Sequence, residues 1–336
     1  DYTMASNTLL FDQNTKDYSD ELLAISGIDR AILADPKPSG TLLGKVHAAA
    51  SELTGLAEGT PVVLGGHDFL CACLPAGAFK PGVVQDVVGT WEIVVAAIDK
   101  PVLTPDVLNM GWWVDSHVAR GATAAMGSAV AADMLEWFRT QFGLLETQKA
   151  ESEGGVDWDY LMELAADSPP GANGVMFLPH CSGSTIPVPD SNSHGVFIGL
   201  RNTTTRGDML RAVIEGLNFQ FLEILQGVET ALKVTPEEFV AVGGGAQNAF
   251  WMQNKADMVG RPIETPDIEE ATPLGAAILA GIGVGLYADE DAALAKTYRS
   301  GKVYEPNTDL TQMYAERFEI YKQLYPATKA INHKLT

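Results

Sequence analysis

Val240-Ala-Val-Gly-Gly-Gly-Ala-Gln-Asn248 and Glu270-Ala-Thr-Pro-Leu-Gly-Ala-Ala-Ile-Leu-Ala-Gly-Ile-Gly-Val-Gly-Leu-Tyr287 are the stretches on which the fold turns. Phe239-Val-Ala-Val242 is a short apolar run that stops at three glycines. That is the pattern of a buried strand whose end lets something approach the backbone closely. Asn248 falls where a helix begins, so its side chain either caps orphan amides or faces a polar ligand. Phe250, Trp251 and Ala256 are expected on the buried side of that helix. Strand, glycine turn and helix N-terminus in this order is how α/β folds bind phosphate-bearing ligands. An isolated glycine run is more often a tight turn with no ligand, so the reading depends on what stands upstream.

Upstream, comparable turns follow in a fixed order. Val62-Val-Leu reads as a short buried strand ending in Gly65-Gly-His-Asp68, which puts a carboxylate at a strand's edge beside glycines that clear space. Such an acid is well placed as a general base, although a helix-capping Asp is the commoner outcome for the motif alone. Val83–Val88 is a second strand, ending in Gly89-Thr90, where backbone amides and a hydroxyl can face a phosphate, and Trp91–Ile98 returns as its hairpin partner. Gly127-Ser128 precedes an amphipathic helix expected over Ala129–Phe142, with Met134, Leu135 and Phe138 inward. Glu151–Asp157 reads as a solvated acidic loop, and Leu43–Leu53 as a helix. Gly195-Val-Phe-Ile-Gly-Leu200 is a glycine-flanked strand, followed by a long helix over Asp208–Leu225. Arg211 and Glu215 stand at i, i+4 and are expected to pair on that helix's surface.

Composition narrows the function classes. The chain has 336 residues, enough for two cored domains, and a formal charge of −21 from 43 acids and 22 bases. A surface this acidic, with no local basic cluster, repels nucleic acid and anionic membranes, so neither is an expected partner. No apolar run is long enough to span a bilayer. Cys71, Cys73 and Cys181 make no disulfide framework, zinc spacing or CxxC pair, which suits a reducing cytosol and a cytoplasmic location. Cys181-Ser-Gly-Ser184 lacks the nucleophile-elbow pattern of a serine hydrolase. Gly243-Gly-Gly245 is not GxGxxG and lacks the downstream acid of a dinucleotide site, which disfavours a Rossmann dehydrogenase.

Taken together and in order, Gly65-Gly-His-Asp68, Gly89-Thr90, Phe177-Leu-Pro179 with Ser182-Gly183, Gly195–Glu215, Gly243–Asn248 with Trp251 and Gln253, and Glu270–Ala277 closely resemble the C-terminal half of the FGGY carbohydrate kinases. The resemblance runs over residues 1–325. It implies an α/β fold of the ribonuclease-H-like, actin-like ATPase type, a mixed sheet flanked by helices. Residues 1–61 would be the C-terminal remnant of the family's N-terminal domain, and 62–336 the nucleotide-binding C-terminal domain. By the same resemblance Asp68 would take the proton of a small sugar or polyol hydroxyl. Gly89, Thr90 and Gly127 would lie at the ATP phosphates, and Gly244, Gly245 and Asn248 would border the adenosine. ATP with Mg²⁺ is the implied cofactor pair, and a homodimer is left open.

Three departures stand out. Ser184-Thr185 replaces the acid–arginine pair frequent after the Ser-Gly, and His194 an arginine frequent before the glycine-flanked strand. Gly89-Thr-Trp-Glu-Ile93 is similar to fuculokinases over a short stretch only. Asp1-Tyr-Thr-Met-Ala-Ser6 looks like the late part of the first domain, so the chain is expected to be a fragment without the family's first phosphate loop. A noncatalytic nucleotide- or sugar-binding module, or an actin-like ATPase without a sugar substrate, are the rival readings.

Overall fold

The structure, a computed structural model, describes residues 1–335. Residues 1–63 form small pieces around few buried side chains: α1 (Tyr2–Ser6), the hairpin of β1 (Phe11–Asp12) and β2 (Asp17–Tyr18), α2 (Asp20–Ser26), β3 (Leu42–Lys45), α3 (Ala48–Thr54) and β4 (Pro61–Val63). The helix expected over Leu43–Leu53 is therefore replaced in its first part by a strand. Residues 42–45 pair antiparallel with 61–63, and the helix starts only after His47, whose Nδ1 accepts from the Ala50 amide at 3.3 Å. Val62 is 41% exposed, so the strand before Gly65 is not buried as expected.

Beyond Gly65-Gly66 the chain turns straight into α4 (Asp68–Cys73), and the main sheet follows. Its strands are β5 (Val83–Val88), β6 (Trp91–Ile98), β7 (Trp113–Ser116), β8 (Thr123–Val130), β11 (Glu238–Val242), β12 (Ile263–Thr265) and β13 (Lys302–Tyr304), and β9 (Met176–Leu178) pairs with β10 (Val196–Ile198) outside it. The order across the sheet is β13-β12-β11-β5-β6-β8-β7. β11 runs parallel to β5 and to β12, and the remaining pairs are antiparallel.

Strand alternation sends side chains to two cores. Val84, Val88, Val94 and Ala96 face one layer, and Val83, Val95, Met126 and Val240 the other. The first layer is covered by α6 (Ala132–Phe142), α8 (Asp157–Ala166), α9 (Arg206–Thr230) and α10 (Ala249–Val259). The second is covered by α4 and α11 (Ala271–Gly283). The connecting and closing helices are α5 (Pro105–Asn109), α7 (Leu144–Glu153), α12 (Glu290–Thr297), α13 (Thr308–Tyr321) and α14 (Leu324–Asn332). No helix among the described residues is long and apolar enough to cross a membrane.

α9 is the central helix. A capping box at Thr205 and Asp208 starts it, and most of its residues are buried. Arg211 and Glu215 do pair, Nε to Oε1 at 2.9 Å, but they are buried rather than on the surface. Tyr314 of α13 donates to Glu215 Oε1 at 2.8 Å, the Gly171 amide donates to the same oxygen, and Arg211 donates to the Ser168 carbonyl. The closing helix covers the pair, which the i, i+4 spacing alone does not reveal.

Candidate active site

β5 and β11 lie side by side and parallel, so their glycine-ended termini emerge on the same edge of the sheet. Gly243 has φ +95, and a Cβ added there would meet the Val88 carbonyl oxygen at 2.7 Å, which only glycine avoids. A 3₁₀ turn over Gly244–Gln247 follows, then α10, capped by Asn248 Oδ1 accepting from the Trp251 amide at 3.0 Å. Across from it, the carbonyls of Gly89 and Thr90 accept from the amides of Ala131, Ala132 and Asp133, seating the start of α6 on the β5–β6 turn.

These elements enclose a hollow of about 840 Å³. Gly89, Thr90, Gly244, Gly245 and Asn248 all line it, so five of the residues read from the sequence come together. The remaining wall is α8, through Trp158, Asp159, Met162 and Glu163, with Phe250 and Trp251 from α10. An apolar body with a few polar groups at one end is the usual form of a small-ligand site. A second hollow of about 840 Å³ lies at the opposite, amino ends of β5 and β11, beside Gly82, Glu237 and Glu238. Ligands of open α/β sheets bind at the carboxyl ends of the strands, which favours the first.

The glycines differ in what requires them. A Cβ at Gly245 would fall 2.4 Å from Val88 Cγ1 and 3.1 Å from the Trp251 ring, so packing demands glycine there. A Cβ at Gly244 would meet nothing within 4 Å. Packing gives no reason for glycine at 244, whereas close approach by a ligand does.

Gly127 is a correction. It sits inside β8, paired with Val94, and the helix begins only at Ala132. A Cβ there would lie 2.5 Å from Ile186 Cδ1 and 3.5 Å from the Trp112 ring. The glycine makes room for the loop side chain of Ile186 and is not part of the hollow's lining.

Asp68 occupies a different place. It opens α4, and its carboxylate is 74% exposed, with Oδ1 accepting from the Phe69 amide and lying 2.7 Å from His67 Nδ1. The position is fixed through the backbone: Thr272 of α11 donates to the Asp68 carbonyl at 3.1 Å, and the His67 amide donates to Thr3 Oγ1 at 2.7 Å. Gly275 completes the seat, because a Cβ there would stand 1.9 Å from the Cys71 carbonyl oxygen and force the two helices apart. The Glu270–Ala277 motif therefore serves to hold Asp68. Buried Asp115 lies nearby, with burial raising its carboxyl to about 6 and the neighbouring His67 partly offsetting that rise. Cys71 and Cys73 are buried and free, as expected of packing residues.

Two groups of site residues escape the sequence reading. Glu151–Asp157 is not one loop, since α7 runs to Glu153 and α8 starts at Asp157. The spacing of Trp158, Leu161, Met162 and Ala165 is the helical signal that would have found the α8 wall. The other group is a buried trio, Lys255 of α10 with Asp86 and Glu92. Nothing in the spacing of residues 86, 92 and 255 announces it.

Comparison with known proteins agrees with this geometry. The C-terminal domain of the FGGY family of carbohydrate kinases matches residues 86–284, and the family's N-terminal domain matches residues 1–75. Autoinducer-2 kinase of Escherichia coli K12 is 31% identical over 341 residues, covering all of this chain and 63% of that enzyme. The Yersinia enterocolitica protein of the same name is 31% identical over 329 residues, 94% of this chain and 59% of its own length. Among solved structures, xylulose kinase from Rhodospirillum rubrum superposes with a TM-score of 0.87 at 27% identity, covering 99% of this chain and 65% of that one. Xylulose kinase from Lactobacillus acidophilus has a TM-score of 0.88 at 23% identity, which shows the fold. The chain thus spans about three fifths of the length of the curated relatives it matches. It belongs to the FGGY family of carbohydrate kinases and has the actin-like ATPase fold.

Proposed function

We propose that this protein takes part in transferring the γ-phosphoryl group of ATP to a hydroxyl of a small sugar or polyol. One observation carries the reading: two glycine-ended parallel strands and an Asn-capped helix converge on a single hollow at the carboxyl edge of the sheet. The relatives are named for phosphorylating autoinducer-2 and xylulose, which supports a small sugar substrate.

In this reading Thr90 and the Gly89 backbone flank the phosphates. Gly244 lets the nucleotide lie against bare backbone, and Asn248, Trp158 and Phe250 border the adenosine. Asp68, exposed and with His67 beside it, is the general base that receives the hydroxyl proton as the oxygen attacks phosphorus. Among the described residues no three His, Cys, Asp or Glu side chains cluster to hold a metal, so Mg²⁺ would arrive on the ATP phosphates and neutralise their charge there.

The test is calorimetric titration with ATP and ADP, followed by a coupled ADP-release screen over ketoses, aldoses and polyols. Saturable nucleotide binding, with ADP release stimulated by one sugar class, is the expected result. Failure to bind ATP at millimolar concentration would overturn the proposal. Binding with sugar-independent hydrolysis would convert it to an ATPase without a sugar substrate.

A further inference from the structure

Lys255 lies beneath the nucleotide hollow and is 99% buried, with its side chain 1% exposed. It belongs to α10, the helix that Asn248 caps, and points across to both strands of the hairpin whose turn is Gly89-Thr90. Its ammonium donates to Asp86 Oδ2 of β5 at 2.5 Å and to Glu92 Oε1 of β6. Phe221 and Trp251 close over the ammonium, with ring centroids 4.4 and 5.6 Å away. Asp86 is paired with Val94 and Glu92 with Val88, so both carboxylates stand on the same face of the hairpin, one pleat apart.

Charges this deep are costly to bury, and hydrophobic side chains of similar volume would commonly hold the layers together as well. What they add is direction. Three tethered atoms fix one helix to two strands at a set distance, which apolar contacts do only loosely. Burial and the adjacent Asp86 carboxylate push Glu92 up to about 8. The direction of that shift favours the protonated carboxyl and so lessens the charge the trio buries.

We infer that Lys255, Asp86 and Glu92 are positioning residues that set the distance between the phosphate wall and the adenosine wall of the hollow. The inference rests on the proposed nucleotide site. It makes a demand that simple structural support does not: ligands that touch both walls must depend on the trio, and ligands that touch one must not. ADP and ATP span the hollow from Asn248 to Thr90, whereas adenosine reaches only the first wall.

The experiment uses the whole chain and three ligands, ATP, ADP and adenosine, titrated calorimetrically. The principal variant is Lys255→Met with Asp86→Asn and Glu92→Gln, which removes every buried charge together and leaves none unpaired. Coupling between sites is commonly worth about 5–150-fold, and the expected loss of ATP and ADP affinity is about ten-fold, with adenosine within about two-fold of the parent. Equal losses for all three ligands, or unchanged ATP affinity, overturn the inference. If the triple variant does not fold, Asp86→Asn alone releases the β5 arm while Lys255 keeps Glu92. The ratio of ATP to adenosine affinity must then fall at least about three-fold, and an unchanged ratio overturns the inference. A parent protein that binds none of the three ligands instead refutes the nucleotide site itself, a result distinct from every outcome among the variants.

Discussion

Around the hollow, each wall is tied to the sheet: Gly243 is pressed on the Val88 carbonyl, the start of α6 hangs from the Gly89 and Thr90 carbonyls, and α10 is anchored by Lys255. Asp68 is held in the opposite manner. Its backbone is fixed by Thr272 and Gly275, but the carboxylate itself stands in solvent beside His67. The first region has its walls tied to the sheet before any ligand enters. The second leaves a carboxylate open to solvent, where the proposed acceptor hydroxyl would arrive. That division matches phosphoryl transfer, in which positioning of the nucleotide and access of the acceptor hydroxyl are separate tasks. It also lets the two regions be broken independently.

The largest effect is expected at Asp68. Asp68→Asn keeps size and a hydrogen-bonding carbonyl but cannot accept the hydroxyl proton, so kcat on the true sugar should fall by about 10²–10⁴-fold. ATP affinity, measured by titration, should stay within about two-fold, because the residue lies outside the lining of the hollow. Near-normal turnover by this variant would make Asp68 a helix-capping acid and end the mechanism proposed here.

Next come two glycines that look alike in the sequence. Gly275→Ala drives a Cβ toward the Cys71 carbonyl, and overpacking of this kind costs about 1–3 kcal/mol. Because α4 must shift, kcat should drop while nucleotide affinity holds. Gly244→Ala meets open space, so stability should change by less than about 0.5 kcal/mol. Its methyl would instead occupy the ligand's approach, and ATP affinity should fall by roughly 3–10-fold, about 1 kcal/mol. Thermal melts and titrations of both variants test the contrast, and swapped outcomes would refute it.

These two positions show what the sequence makes legible. Apolar runs ending in glycine were enough to place β5, β11 and the Asn248 cap, because alternation and capping are local. The meeting of Gly89, Thr90, Gly244, Gly245 and Asn248 followed from the resemblance of the ordered motifs, and the parallel pairing of β5 with β11 realises it. Gly127 misled because a glycine that admits Ile186 in mid-strand looks the same in sequence as one that admits a phosphate at a turn. Leu42–Lys45 misled for a similar reason, since its strand pairing depends on a partner sixteen or more residues away. The trio of Lys255, Asp86 and Glu92 was invisible because its members are brought together only by sheet and helix packing.

The pH dependence of stability sharpens the account of the hollow's floor. Glu92 is raised in the fold from its ordinary 4.5 to about 8, chiefly by burial and then by Asp86. A raised carboxyl favours the protonated form in the native state, so its contribution is fully present below about 4.5 and is lost as pH rises through about 8. Other groups titrate as well, including the half-buried Glu223, whose carboxyl desolvation also raises to about 8. The difference between parent and Glu92→Gln isolates the one group. The parent should lose stability relative to the variant between pH 5 and pH 9, and parallel Tm profiles would show that Glu92 is ionised in the trio.

Asn248 is the finest discriminator, because it both caps α10 and lines the hollow. Its Oδ1 caps α10, while Nδ2 rests against Met162 Sδ at 2.9 Å on the lining of the site. Asn248→Ala removes both groups and should cost about 1 kcal/mol of stability as well as nucleotide affinity. A loss of binding in that variant alone would not distinguish a ligand contact from a frayed helix start. Asn248→Asp separates them. A carboxylate at an N-cap accepts the Trp251 amide as well as the amide oxygen does, and its charge favours the helix N-terminus. Stability should therefore return to the parent level. The donor Nδ2 is gone, however, and a negative charge now faces an anionic ligand, so ATP affinity should remain low while adenosine affinity recovers in part. If Asn248→Asp restores ATP binding along with stability, Asn248 is only a cap, and the adenosine wall is made by α8 and the α10 aromatics without it.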